Sequence, residues 1–260
     1  MSLQGRFRMC AMCDDQETSQ PLNRLHRRRF LKASAAITAM AFAGAGVLSD
    51  IAHADALTKA QRDKLSPDDI LALMKEGNKR FYAGKREDRD VLAQQRASAK
   101  GQYPAAVLLT CIDSRASAET ILDLRIGDIF NSRVAGNVEN SDILGSMEFA
   151  CKLAGAKVVL VMGHTACGAI KGAIDNAELG NLTGLLAKIK PAEAATTYTG
   201  ERTSKNYAFV DAVARKNVEL TMSNIRKDSP VLAEMESHGT IKIAGAMYNL
   251  ETGVVEFFTG

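Results

Sequence analysis

The 260-residue chain is poor in the residues that usually staple or metallate a protein, with five cysteines and four histidines. It also lacks a strong charge of one sign once its N-terminus is set aside. Residues 1–54 carry seven of the 33 Lys/Arg and four of the 30 Asp/Glu, leaving 26 of each. A balanced domain argues against a general role on nucleic acid or a membrane surface, since both favour a basic excess. No G-x-G-x-x-G follows a strand-like run, which argues against a nucleotide-binding doubly wound domain. The chain shows no internal repeat, low-complexity linker or second core.

The N-terminus is different in kind. Arg27-Arg28-Arg29-Phe30-Leu31-Lys32 is a twin-arginine pattern followed by an apolar, Ala-rich stretch from Ala33 to Leu48. That stretch is shorter than the roughly 20 residues of a comfortable membrane span. It ends near Ala52-His53-Ala54, a small-x-small cleavage signature. Residues 1–54 are therefore expected to be a twin-arginine export signal, removed after about Ala54. The expected partner is the twin-arginine export machinery, the destination the periplasm or cell exterior, and no stable membrane anchor remains after cleavage. Residues 55–260 are left as a single domain, long enough to bury its own core.

Removing the signal also removes Cys10, Cys13, His26 and His53. Cys111, Cys151 and Cys167 remain, an odd number and too few for a disulfide framework in a domain of this size. Metal coordination is one way an exported protein protects such thiols. Cys151 sits in a helical pattern and reads as a small buried hydrophobe.

Ser66-Pro67-Asp68-Asp69 is a helix start, with a capping serine, a first-turn proline and acids at the positive dipole end. The helix runs through Ile70, Leu73, Met74 and Phe81 to Gly84. A polar helix is expected over Val91–Ala99. Both have thin apolar faces suited to wrapping another surface. Strands are expected over residues 104–110, 129–134, 157–163, 240–248 and 254–258. Helical segments are expected over 118–124, from Asp142 (as cap) to Leu153, over 169–176, and over 207–226. Strands alternating with helices imply right-handed crossovers and an α/β fold. The expected sheet is mostly parallel, four parallel strands plus an antiparallel edge strand, flanked by helices.

Two short stretches stand at the carboxyl ends of such strands, where ligands sit in this architecture. They are Cys111-Ile112-Asp113-Ser114-Arg115 and His164-Thr165-Ala166-Cys167-Gly168. Cys111 and Asp113 can point to the same side of an extended chain. His164 and Cys167 are separated by one helical turn. Gly163 and Gly168 would permit a tight turn between them. A helix start beside Cys167 would favour its thiolate. C-x-D and H-x-x-C are each weak signals. At two consecutive strand ends they make a four-donor metal site, with zinc foremost for mixed sulfur and nitrogen donors.

Together with Arg115, these stretches resemble those of the β-class carbonic anhydrases. Residues 77–81 (GNKRF), 133–137 (RVAGN), 145–148 (GSME) and 245–248 (GAMY) resemble family stretches too, so the likeness spans about residue 66 to the end. It implies a zinc lyase, a carbonate dehydratase with one Zn²⁺ per subunit. Its activity would be reversible hydration of CO₂ to bicarbonate and a proton by a zinc-bound hydroxide. Cys111, His164 and Cys167 would bind the metal. Asp113 would either complete the shell or pair with Arg115 and act in catalysis, leaving the fourth position to water. Gln102 falls where the family often places a glutamine that hydrogen-bonds substrate. Arg133 matches a family arginine, whereas Asn131-Ser132 replaces more apolar residues. His238 reads as a turn residue rather than a proton shuttle. The family forms homodimers or homotetramers with the N-terminal helices on a partner subunit. Two rival readings are a COS/CS₂ hydrolase on the same scaffold and a non-catalytic zinc- or bicarbonate-binding module.

Overall fold

The computed structural model describes residues 57–258. The expected export signal lies outside them. In chain order the elements are α1 (Lys59–Lys64), α2 (Pro67–Tyr82), α3 (Val91–Ser98), β1 (Ala106–Thr110), α4 (Ala118–Ile121), β2 (Ile129–Arg133) and α5 (Ser141–Glu148). They continue with β3 (Val158–His164), α6 (Gly168–Ile174), α7 (Gly180–Ala187), α8 (Lys190–Ala195), α9 (Tyr207–Asp228), α10 (Pro230–Ser237), β4 (Lys242–Tyr248) and β5 (Val255–Phe258). Among the described residues no helix is long and apolar enough to cross a membrane.

The five strands form one sheet in the order β2-β1-β3-β4-β5. The first three pairings are parallel, and β5 runs antiparallel on β4. The fold is thus the α/β sheet expected, with four parallel strands and one antiparallel edge. β1 and β3 are direct neighbours, with Thr110 opposite Met162. From β1 the chain crosses first to β2 on one side and then to β3 on the other. The β1/β3 boundary is therefore the place where such sheets open a crevice at their carboxyl edge.

Alternate residues of each central strand serve two cores. Val107, Leu109, Val159 and Val161 face a cluster built with Met147, Ile170, Phe209, Val213 and Val218 from α5, α6 and α9. Ala106, Leu108, Val158, Leu160 and Met162 face Ile70, Leu71 and Met74 of α2 and Ile121 of α4. Burial on both faces explains why β1 and β3 read as unbroken apolar runs.

Ser66 caps α2 in a reciprocal capping box with Asp69. The thin apolar face of that helix meets its own chain's sheet, through Ile70 (2% exposed) and Met74 (1%). The apolar face of α2 is thus buried within its own chain, while Tyr82 at its end and Val91 and Leu92 of α3 remain exposed. The cap of α5 is Asn140, whose side chain accepts from the Ile143 amide, rather than Asp142, which lies in the first turn.

Candidate metal centre

β1 ends at Thr110 and delivers Cys111, and β3 ends on His164 itself. Cys167 is the N-cap of α6. The parallel register carries these three side chains to the same sheet edge, where their ligand atoms lie within 4.8 Å of one another, all buried. The two sulfurs are 4.0 Å apart.

His164 Nδ1 lies 2.9 Å from the Thr165 carbonyl oxygen. A carbonyl can only accept, so Nδ1 carries the hydrogen and Nε2 presents a lone pair. Nε2 is buried and has no hydrogen-bond partner. A lone pair desolvated in that way is costly unless something binds it. Burial, the largest influence on the imidazole, lowers its pKa. The Cys111 thiolate, the Thr165 carbonyl and the Asp113 charge outweigh it and leave the pKa raised.

The thiols behave as a pair. Facing Cys167, Cys111 is pushed down to about 4, helped by His164 and by the Gly136 and Asp113 amides against the opposing effect of burial. The Gly136 N–H donates to its sulfur at 3.4 Å. Cys167 is driven upward by that neighbouring thiolate and by burial, although the Ala169 and Ile170 amides at the start of α6 pull it down. A divalent cation relieves this repulsion by coordinating both sulfurs as thiolates. Cys151 stands apart, buried in the α5 region and pushed up to about 12 by desolvation, as expected of an inert core thiol.

Asp113 lies beside the three donors, with Oδ2 3.8 Å from His164 Nε2. It is engaged elsewhere. Arg115 Nε donates to Oδ1 at 2.9 Å, Nη2 donates to Oδ2 at 2.7 Å, and the Arg115 amide donates to Oδ1 at 2.9 Å. Of the two arrangements open to Asp113, the structure therefore shows the pair with Arg115. The cluster has three donors rather than four. Arg115 holds the carboxyl well below the usual carboxylate range, against the opposing effect of burial. Arg133 reaches across from β2 and donates to the carbonyls of Cys111 (2.9 Å) and Asp113 (2.5 Å), pinning the loop that carries both. Its role is on the backbone.

Two candidates lie elsewhere. Gln102 is exposed on the approach to β1, at the opposite edge of the sheet from Cys111. The five-residue strand between them spans about 17 Å at roughly 3.3 Å per residue. Within one chain Gln102 is therefore not brought to the site. His238 is the C-cap of α10 before β4, also away from the carboxyl edge. Asn131 donates to Glu119 at 2.9 Å from the edge strand.

Residues 106–255 match the family model described as carbonic anhydrase. The chain belongs to the carbonic anhydrase family. Carbonic anhydrase 2 of Mycobacterium tuberculosis is 34% identical over 182 residues, covering 69% of this chain and 87% of the relative. The carbonic anhydrase of Mycolicibacterium smegmatis is 32% identical over 185 residues, covering 70% and 89%. A crystal structure of a β-carbonic anhydrase of Aspergillus fumigatus is similar at 29% identity with a TM-score of 0.56, covering 63% of this chain and 79% of that one. The likeness to solved structures is to the β class, in agreement with the sheet and the donor set. Zinc is the metal of the β-carbonic anhydrases, and two thiols with a bare imidazole nitrogen fit it.

Two contacts that hold this carbonic anhydrase site together escaped the motifs. Asp211 Oδ1 accepts from the Ala166 amide at 2.7 Å, and Asn217 Nδ2 donates to the Gly136 carbonyl at 2.7 Å. Both residues sit on α9, far along the chain from their partners. The one signal in the sequence was a polar Asn217 among the apolar positions Val213, Ala214 and Val218.

Proposed function

We propose that the three-donor centre hydrates CO₂ to bicarbonate and a proton, with zinc held by Cys111, His164 and Cys167. The observation that carries this reading is the engagement of Asp113 by Arg115 beside a cluster of three buried donors. A structural zinc site closes with four protein ligands, whereas a catalytic one keeps a position open. Zinc in such a set supplies Lewis acidity that brings the pKa of a coordinated water to about 7.

The chain's own residues do the rest. Asp113, ionised and able only to accept, takes a hydrogen bond from the attacking water and turns its lone pair toward the carbon of CO₂. Arg115 keeps that carboxylate ionised and aimed. The burial of Cys111, His164 and Cys167 excludes bulk water from their side of the centre. The attacking oxygen forms the new C–O bond, and the released proton leaves to solvent or buffer.

Parallel turnover assays with CO₂ and COS test the substrate. Rapid CO₂ hydration by zinc-loaded protein is expected, and CO₂ rates at background with COS hydrolysed would transfer the assignment to COS.

We further propose a homo-oligomer. β2 is an edge strand, and exposed Phe149 and Leu153 lie just beyond α5. The similar Sordaria macrospora structures, 26% identical with a TM-score of 0.53, are described as tetrameric. A second copy could also bring Gln102 to a neighbour's site. Export by the twin-arginine route, with residues 55–260 as the mature domain, rests on the Arg27–Lys32 and Ala52–Ala54 signatures. Burial of Leu57 in the core fits a domain beginning near there. An N-terminal sequence starting near Asp55 in the exported protein is the expected result.

A further inference from the structure

We propose that Asp211 is a positioning residue for the metal centre, holding from α9 the left-handed turn at Ala166 that sets His164 and Cys167 against each other. The inference rests on the reading of those residues, with Cys111, as the metal's ligands.

Only three peptide units separate His164 from Cys167, and the chain must pass from β3 into α6 within them. The glycines at either end, Gly163 and Gly168, are the residues expected to take up that turn. Instead the left-handed residue is Ala166, at φ 55°. An L-residue with a Cβ visits that region rarely and needs an external tie to stay there. The tie is the 2.7 Å bond from the Ala166 amide to Asp211 Oδ1. The carboxyl is partly buried, and desolvation raises its pKa, with the Ala166 amide opposing that shift.

Gly163 has a different use. A Cβ there would stand 2.8 Å from Val218 Cγ2 and 2.9 Å from Met247 Sδ. Its absence lets α9 lie directly on β3, one residue before His164. The same helix makes the matching tie on the other side. Asn217 is 2% exposed and bonds the Gly136 carbonyl, while the Gly136 amide donates to Cys111 Sγ. One rigid helix thus holds the backbone turns beside all three donors. Contacts of this kind outside the ligands fix ligand orientation, and losing one typically costs about 10–100-fold in metal affinity.

The test compares zinc affinity by chelator competition, and the absorption spectrum of the cobalt(II)-substituted protein, across Asp211→Ala, Asp211→Asn and each combined with Ala166→Gly. Asp211→Ala should weaken zinc by about 10–100-fold and alter the cobalt bands. Asp211→Asn keeps an acceptor oxygen and should stay near the unaltered protein. Ala166→Gly, free to adopt the left-handed turn, should recover most of what Asp211→Ala loses. Zinc binding within twofold of normal in Asp211→Ala, no recovery on adding Ala166→Gly, or Asp211→Asn as weak as the alanine variant would each overturn the proposal. Asp211→Ser replaces the alanine variant if that one does not fold. Failure of the unaltered protein to bind one metal per chain would instead overturn the ligand reading beneath it.

Discussion

Asp113 lies 3.8 Å from His164 Nε2, the nitrogen that would face a metal, and is paired with the guanidinium of Arg115. The bidentate geometry of Arg115 and its own amide give three donors to the two carboxylate oxygens, an arrangement that favours the ionised form. The expected consequence is a separation of roles. Asp113→Asn and Arg115→Gln should retain one zinc per chain by metal analysis while CO₂ hydration falls by about 100-fold, the scale of a lost proton-positioning group. Retention of full turnover would contradict the role. The pH profile provides a second check. With its pKa held below the ordinary 3.8, Asp113 stays charged throughout the neutral and mildly acid range. The contribution of its ion pair to stability is present above 3.8 and is lost only as pH falls through the depressed value. In Arg115→Gln the carboxyl should titrate closer to 3.8, so the loss of stability on acidification below 3.8 should be shallower than in the unaltered protein. Superimposable profiles would argue against it.

At the scale of elements, α2 shows why a stretch typical of the family need not be catalytic. Asn78 is 2% exposed and makes three bonds, donating to the carbonyls of Ile121 and Gly253 and accepting from the Val255 amide. It ties α2 to α4 and to the β4–β5 turn. A Cβ on Gly77 would stand 1.9 Å from the Leu122 carbonyl oxygen. Asn78→Leu should therefore cost at least about 2 kcal/mol, because it strands buried backbone groups. At about 2–4 °C per kcal/mol for a domain of this size, Tm should fall by roughly 4–8 °C, with metal content per folded chain unchanged. The same elements show what could be read in advance. β1 and β3 were legible because burial on both faces removes polar interruptions, and α2 because Ser66 and Asp69 mark its start. α7 and α8 were not, since neither Leu179 nor Ile189 caps with a side chain, and α7 contains Gly184 in its interior. The three donors could be read from type and spacing. Asp211 could not, because its partner is 45 residues away and its own helix gives no sign of it.

For the whole molecule, a metal held by the three donors would add a cross-link between strands that a parallel hydrogen-bond ladder already joins. Cys111 follows β1, while His164 and Cys167 follow β3, so coordination cross-links the two central strands at their carboxyl ends. A ligand bound by the folded state alone stabilises it by mass action, and chelation should lower Tm in a manner reversed by added zinc. Unchanged melting on metal removal would show that the site does not couple to the fold. Assembly is the other expectation at this scale, and sedimentation should find a dimer or tetramer rather than a monomer. The claim on which all this depends is that one zinc at Cys111, His164 and Cys167 makes the protein a CO₂ hydratase. The most direct measurement is stopped-flow CO₂ hydration by metal-free protein titrated with zinc. The rate should rise linearly and break at one zinc per chain, with no rise in Cys167→Ala. A rate independent of zinc, or one that rises equally in that variant, would contradict that claim.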